Sequence, residues 1–281
     1  MSTLTETSAA MVAPDYTSKP ISALVSLSGR VAVVTGGAGG IGKAIASRLS
    51  EAGARVVVAD LNQDSAEAVA AELKEKWRQE AWGLRLDVTE SNLVADAASR
   101  AAELGGKLDI WVNAAGIYPV RPYFEIDDAF WDNMMAINLR GTMVGAREAA
   151  KLMAPNRSGV IVNIASIASM SAGAPGSATY TASKHAVAGL TKSMAVEFGA
   201  LGIRALGIAP AAIITPGLEE LKRQFAKDIG GDFLEMLTER VHLGRPGLPD
   251  DIARVALFCA SDLSAYMTGS LVVVDGGHMS M

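Results

Sequence analysis

Apolar, largely β-branched runs recur seven times along the chain, at 30–36, 54–60, 82–88, 108–112, 159–165, 203–209 and 270–275. Runs of this length without alternation mark strands buried on both faces. Between them, apolar residues return at helical spacing over 43–49, 64–79, 90–104, 127–153 and 180–200. Strand and helix alternating in this way predict an α/β fold, a doubly wound seven-stranded parallel sheet. Neither a linker nor a repeat interrupts the pattern, so 29–281 reads as a single domain. Residues 1–28 are rich in Ser, Thr and Ala, and are expected to form a flexible extension or an interface arm. Open parallel sheets bind ligands at the carboxyl ends of their strands. Gly36, Asp60, Asp87, Asn113, Ser166 and Pro210 all fall at such ends.

Composition narrows the picture. The 281 residues are half hydrophobic, ample for a buried core, and carry a net charge of −5. With no basic run, a nucleic-acid partner is not expected. The single cysteine, Cys259, excludes a disulfide framework and a multi-cysteine metal site, and suits a reducing cytoplasm. No apolar run reaches the roughly 18 residues of a membrane span, and the N-terminus lacks the basic start and apolar core of a leader. His185, His242 and His278 lack ligand spacing, so no metal is expected.

The candidate chemistry begins after the first strand run. Gly36, Gly40 and Gly42 stand between that run and a helix, where a tight turn lets free N–H groups at the helix start face an anion. Asp60 closes the second run 18 residues beyond Gly42. A carboxylate there can accept hydrogen bonds from both hydroxyls of an adenosine ribose, and would repel a 2′-phosphate. Neither Leu61 nor Asn62 is basic, and Lys43 lies inside the helix, so NAD is expected rather than NADP. The competing role for Asp60 is a helix cap. Small residues at 113–116 would let an adenosine pass close to the backbone, or simply pack. Asn138 sits mid-helix among Met134, Ile137, Leu139 and Met143, an unfavourable place for Asn unless its amide has a purpose. Tyr180 and Lys184, four apart on a helix, share one face. A free phenol titrates near 10, and a neighbouring ammonium would lower it toward a useful acid–base range.

Together these residues resemble the short-chain dehydrogenase/reductase family across essentially all of 29–281. Thr35-Gly36, Gly40-Ile41-Gly42 match its cofactor turn, and Asn113-Ala114-Ala115-Gly116 its Asn-Asn-Ala-Gly motif with Ala in second place. Asn138, Ser166, Tyr180 and Lys184 match its catalytic tetrad. Pro210 to Thr215 matches the nicotinamide-side segment, and Asp275-Gly276-Gly277 the C-terminal signature. The resemblance implies a Rossmann fold, bound NAD, and hydride transfer between nicotinamide C4 and a substrate carbon. It implies that Tyr180 exchanges the proton, Lys184 lowers its pKa and holds the ribose, and Ser166 bonds the reacting oxygen. Asn138 would hold a water between Lys184 and solvent. Gly36, Gly40, Ile41, Gly42, Asp60, Leu61, Asn113, Ala114, Gly116 and Pro210 would contact the dinucleotide. Asp87 and Val88 would flank its adenine, with Ile213 and Thr215 at the carboxamide and pyrophosphate. A homotetramer or dimer through helices 127–153 and 180–200 is implied as well. Three places depart from the family pattern: Ser166 stands one position farther from Tyr180 than is usual, Ala211 replaces a glycine, and Leu206 an asparagine.

Substrate choice should lie in 117–124, 167–179 and 216–245. Tyr118, Pro119, Met170, Leu218, Phe225, Phe233, Met236 and Leu237 suggest an apolar pocket for a hydrophobic secondary alcohol or ketone, cyclic ones included. Packing within a lid helix would explain the same spacing. A 3-oxoacyl-carrier-protein reductase is the alternative enzyme. It is disfavoured by apolar Val144 and Leu201 where carrier-docking arginines are usual. A dinucleotide-sensing scaffold is the alternative outside catalysis, though it would not need all four tetrad residues.

Overall fold

Residues 14–218 and 239–280 are described by a computed structural model. Its strands are β1 (Val31–Thr35), β2 (Arg55–Asp60), β3 (Ala81–Arg85), β4 (Ile110–Asn113), β5 (Gly159–Ile164), β6 (Ile203–Pro210) and β7 (Leu271–Val274). All pair in parallel, in the order β3-β2-β1-β4-β5-β6-β7. Adjacent side chains along each strand enter opposite layers. Val34, Val58, Val112 and Val162 face the layer of α2 (Gly40–Glu51), α3 (Gln63–Trp77) and α8 (Pro249–Ala260). Val33, Val57, Trp111 and Ile161 face α4 (Ser91–Gly105), α6 (Gly141–Met153) and α7 (Ala178–Gly199). Each such side chain contributes about 1.5–3 kcal/mol when fully buried, and the polar residues of the central strands, Thr35, Asn113 and Asn163, lie toward their carboxyl ends.

The strand order reverses between β1 and β4, where Thr35 pairs with Asn113. Crossovers leave that point in opposite directions and open a crevice at the strands' carboxyl ends. Thr35 Oγ1 ties the two sides together, accepting from the Ala114 and Ala115 N–H groups, both at 3.1 Å.

Several elements differ from expectation. The helix expected over 127–153 is α5 (Asp128–Met135), a π-type turn (Ala136–Arg140) and then α6, so the chain gains one residue around Asn138. Strand β3 stops at Arg85, and 86–88 run on as a loop. Helix α8 was not expected, although Pro249 in its first turn, followed by Asp250 and Asp251, is a readable start signal. Within the N-terminal extension, α1 (Ile21–Val25) leads to Leu27, which is fully buried and donates its N–H to Ala52 O at 2.8 Å. Residues 1–13 lie outside the described residues.

Candidate active site

One cavity of about 720 Å³ runs along the crevice, from Asp60 and Leu61 past the glycine turn to Tyr180 and Lys184. Its floor is set by close backbone approach. A Cβ on Gly42 would lie 2.1 Å from Gly36 O, and Gly36 itself takes φ +62° against the Ala115 backbone. Only glycine permits this pair of contacts. Helix α2 then begins with Gly39 as its N-cap, with no side-chain cap and no acidic residue in its first turn. A Cβ at Gly39 would meet nothing within 4 Å. The first N–H groups therefore face open cavity, an arrangement that suits a phosphate. At the far end Asp60 is oriented by Ala38 N–H at 3.0 Å and Asn62 N–H at 3.2 Å. Lys43 is paired with Glu72 at 2.7 Å, away from Asp60. Turn, open helix start and terminal carboxylate together fit a nicotinamide dinucleotide.

Of the residues expected to contact that cofactor, Gly36, Gly40, Ile41, Gly42, Asp60, Leu61, Asp87, Val88, Ala114, Gly116, Tyr180, Lys184, Pro210, Ile213 and Thr215 all line the cavity. Asn113 does not. Its amide is turned into the core, where Oδ1 accepts from Trp111 Nε1 at 2.7 Å and Nδ2 donates to Asn163 Oδ1 at 2.9 Å. A strand-end amide beside β5 and α6 finds buried partners there and ties those elements together. Gly39 and Ala115, not among the expected contacts, line the cavity as well, while Thr35 of the expected turn stays behind it and holds the loop after β4.

The reacting end is assembled from α7, the end of β5 and the loop after β4. Lys184, 6% exposed, donates from Nζ to Ile164 O at 2.8 Å, and burial pushes its pKa down to about 8. Its Nζ lies 5.7 Å from the centre of the Tyr180 ring. Burial raises the Tyr180 phenol above its usual value, Ser166 partly offsets this through a hydrogen bond, and Tyr118 adds to the rise. Lys184 is not among the groups that shift it. The ammonium is spent on the Ile164 carbonyl, and desolvation of the phenolate dominates.

Ser166 is buried and lines the cavity, its Oγ accepting from Ala168 N–H at 3.1 Å. Ser169 instead donates to Lys184 O at 2.7 Å and does not line it. Asn138, expected among the catalytic groups, is 1% exposed and stands behind the cavity wall. Its Oδ1 accepts from Ile117 N–H at 2.9 Å, while Nδ2 donates to Ile117 O at 2.8 Å and Ser183 Oγ at 3.2 Å. One amide so joins the loop after β4 to the helix of Tyr180 and Lys184. The π-type turn leaves the Asn138 carbonyl to accept from Thr142 Oγ1 at 2.8 Å.

Among the expected substrate residues, Tyr118 and Leu218 line the cavity, whereas Pro119 and Met170 do not and are exposed. Phe225, Phe233, Met236 and Leu237 lie outside the described residues. Val144 is buried, so its apolarity carries no information about a docking surface, while Leu201 is 37% exposed. Among the described residues, no helix is long and apolar enough to cross a membrane.

Known proteins of similar sequence and fold bear on this cavity. Residues 36–279 match the family model described as enoyl-(acyl carrier protein) reductase. The chain is 40% identical over 252 residues to D-threitol dehydrogenase of Mycolicibacterium smegmatis, covering 90% of this chain and 94% of that one. A short-chain type dehydrogenase/reductase from Mycobacterium marinum superposes with a TM-score of 0.86 at 33% identity, over 93% of this chain and all of that one. A gluconate 5-dehydrogenase from Burkholderia cenocepacia, solved with NADP and tartrate, gives 0.86 at 34% identity, with 93% and 100% coverage.

Proposed function

The chain belongs to the short-chain dehydrogenase/reductase family, and from that premise we propose that it moves a hydride between NAD(H) and a hydrophobic secondary alcohol or ketone, open-chain or cyclic. As a member it is an oxidoreductase of alcohols and ketones that uses a nicotinamide dinucleotide. The observation carrying the finer reading is the single cavity joining Asp60, the open start of α2, and the Tyr180–Lys184 pair. When bound, the dinucleotide supplies the hydride acceptor or donor, and in oxidised form a positive ring.

Tyr180 takes the proton from the alcohol, or gives it to the ketone oxygen, at its Oη. Ser166 holds that oxygen by a second hydrogen bond, orienting the carbinol carbon. Lys184, with a pKa of about 8, can lend positive charge or pass on a proton near neutrality. Asn138 is a positioning residue in this scheme, since it clamps Ile117 and Ser183 rather than facing the substrate. Asp60 binds the ribose hydroxyls and disfavours a 2′-phosphate, with Gly36, Gly40, Ile41 and Gly42 at the pyrophosphate. The reacting end offers Ile117, Val120, Ile167, Ala168 and Leu218, which favours an apolar carbon frame.

The catalytic domain is proposed to span 29–281, with 1–28 as an extension, in a cytoplasmic dimer or tetramer. Exposed Trp131 on α5 and Val196 on α7, 42% and 82% accessible, support burial of those helices between subunits. The deciding experiment follows NADH formation across aliphatic, cyclic and aromatic secondary alcohols, with NADP⁺ in parallel. Activity on several alcohols and tighter binding of NADH than NADPH are expected. Inactivity on every alcohol, beside reduction of a 3-oxoacyl-carrier thioester, would replace the reading with the carrier-protein reductase.

A further inference from the structure

Tyr118 shares the cavity with Tyr180, yet the proton transfer does not use it. The two rings meet edge to face, with centroids 6.4 Å apart and planes at 75°. Its hydroxyl reaches Thr215 Oγ1 at 3.3 Å, long for a hydroxyl pair, which usually closes to about 2.7–2.8 Å. Thr215 Oγ1 already accepts from Leu218 N–H at 3.2 Å. Among the described residues the phenol therefore keeps most of its hydrogen-bonding capacity.

The ring is nevertheless held in place. Asn138 clamps both backbone groups of Ile117, the residue before it. On the other side the backbone presses on the phenol, and a Cβ at Gly217 would lie 2.0 Å from its oxygen. Other hydroxyls at this end are engaged. Ser177 donates to Ala174 O, and Ser166 bonds the Tyr180 phenol and accepts from Ala168 N–H. Tyr118 is thus a fixed, under-used polar group in a lobe walled by Ile117, Val120, Ile167, Ala168 and Leu218. A polar group so placed favours a ligand that completes its hydrogen bonding over one that leaves it unpaired.

We propose that Tyr118 determines specificity by donating a hydrogen bond to a second oxygen of the substrate, so that the enzyme prefers diols or hydroxyketones to simple alcohols. The inference rests on the alcohol–ketone reading of the site. Its test compares full-length wild type with Tyr118→Phe, which keeps the ring and removes only the hydroxyl. With NAD⁺, kcat/KM is measured for the 1,2-, 1,3- and 1,4-cyclohexanediols against cyclohexanol, and for 2,3-butanediol against 2-butanol. For at least one pair the diol-to-monool ratio should fall about tenfold, the worth of one hydrogen bond between uncharged groups; a fall of threefold or more supports the proposal. A clasp to Thr215 alone would scale both alcohols together, so a ratio within threefold of wild type for every pair overturns it. Wild type that oxidises neither class would fail the functional reading itself, and this inference with it.

Discussion

Lys184 carries a stability cost that one substitution should release. The residue is 6% exposed, its hydrogen-bond acceptor is Ile164 O at 2.8 Å, and burial is the cause of its lowered pKa. The pKa falls from 10.5 to about 8 on folding. At about 1.4 kcal/mol per pH unit, that corresponds to about 3 kcal/mol of burial cost. At pH 7 the amine is protonated in both folded and unfolded chains, so the whole cost is present. Between about 8 and 10.5 the native protein has shed the proton while the unfolded chain still holds it. Over that window the Lys184 contribution to stability rises with pH, and above it the cost is gone. Lys184→Met keeps an unbranched apolar stem, removes the charge and forfeits the bond to Ile164 O, which returns about 1–2 kcal/mol of loss. The variant without dinucleotide should therefore be about 1–2 kcal/mol more stable than wild type at pH 7, and inactive. Its advantage should vanish or reverse by about pH 10. Urea unfolding of both proteins at pH 7 and pH 10 provides the check. Taking the difference cancels Cys259, whose pKa burial raises and whose contribution falls as pH rises. A variant less stable than wild type at pH 7, or an advantage unchanged with pH, would refute the reasoning.

Tyr180→Phe should cost about 10²–10⁴-fold in kcat while NADH binding, read by fluorescence, stays within about threefold; retention of most of kcat would defeat the proton-transfer role. Gly42→Ala puts a Cβ 2.1 Å from Gly36 O, so the turn must open. Unfolding free energy should drop by about 1–3 kcal/mol and the NADH dissociation constant should rise, whereas unchanged binding would argue against the turn as the phosphate site. Asn138→Leu orphans both backbone groups of Ile117 and should destabilise by about 2–4 kcal/mol in urea. A neutral result would mean that the loop is held by other contacts.

Much of this protein was determined by local sequence. Strand runs and helical spacing are short-range patterns, so the doubly wound sheet and the carboxyl-end positions of Gly36, Asp60 and Ser166 follow from residues close together in the chain. The four-residue spacing of Tyr180 and Lys184 on α7 is likewise a property of the helix alone. Tertiary structure decided the rest. Asn113 looked like a ligand contact, but its partner Asn163 lies 50 residues away on β5 and draws the amide into the core. The motif names Asn138 but not its surroundings: a π-type turn and the backbone of Ile117 set its amide behind the cavity wall. Tyr118 meets Thr215 across 97 residues of chain. Burial raises the Tyr180 phenol, an effect summed over strands, loops and helices that converge on it rather than set by one neighbour in the helix. Periodicity determines which face of an element a residue occupies; what that face meets, and how much water is excluded there, depends on segments distant in sequence.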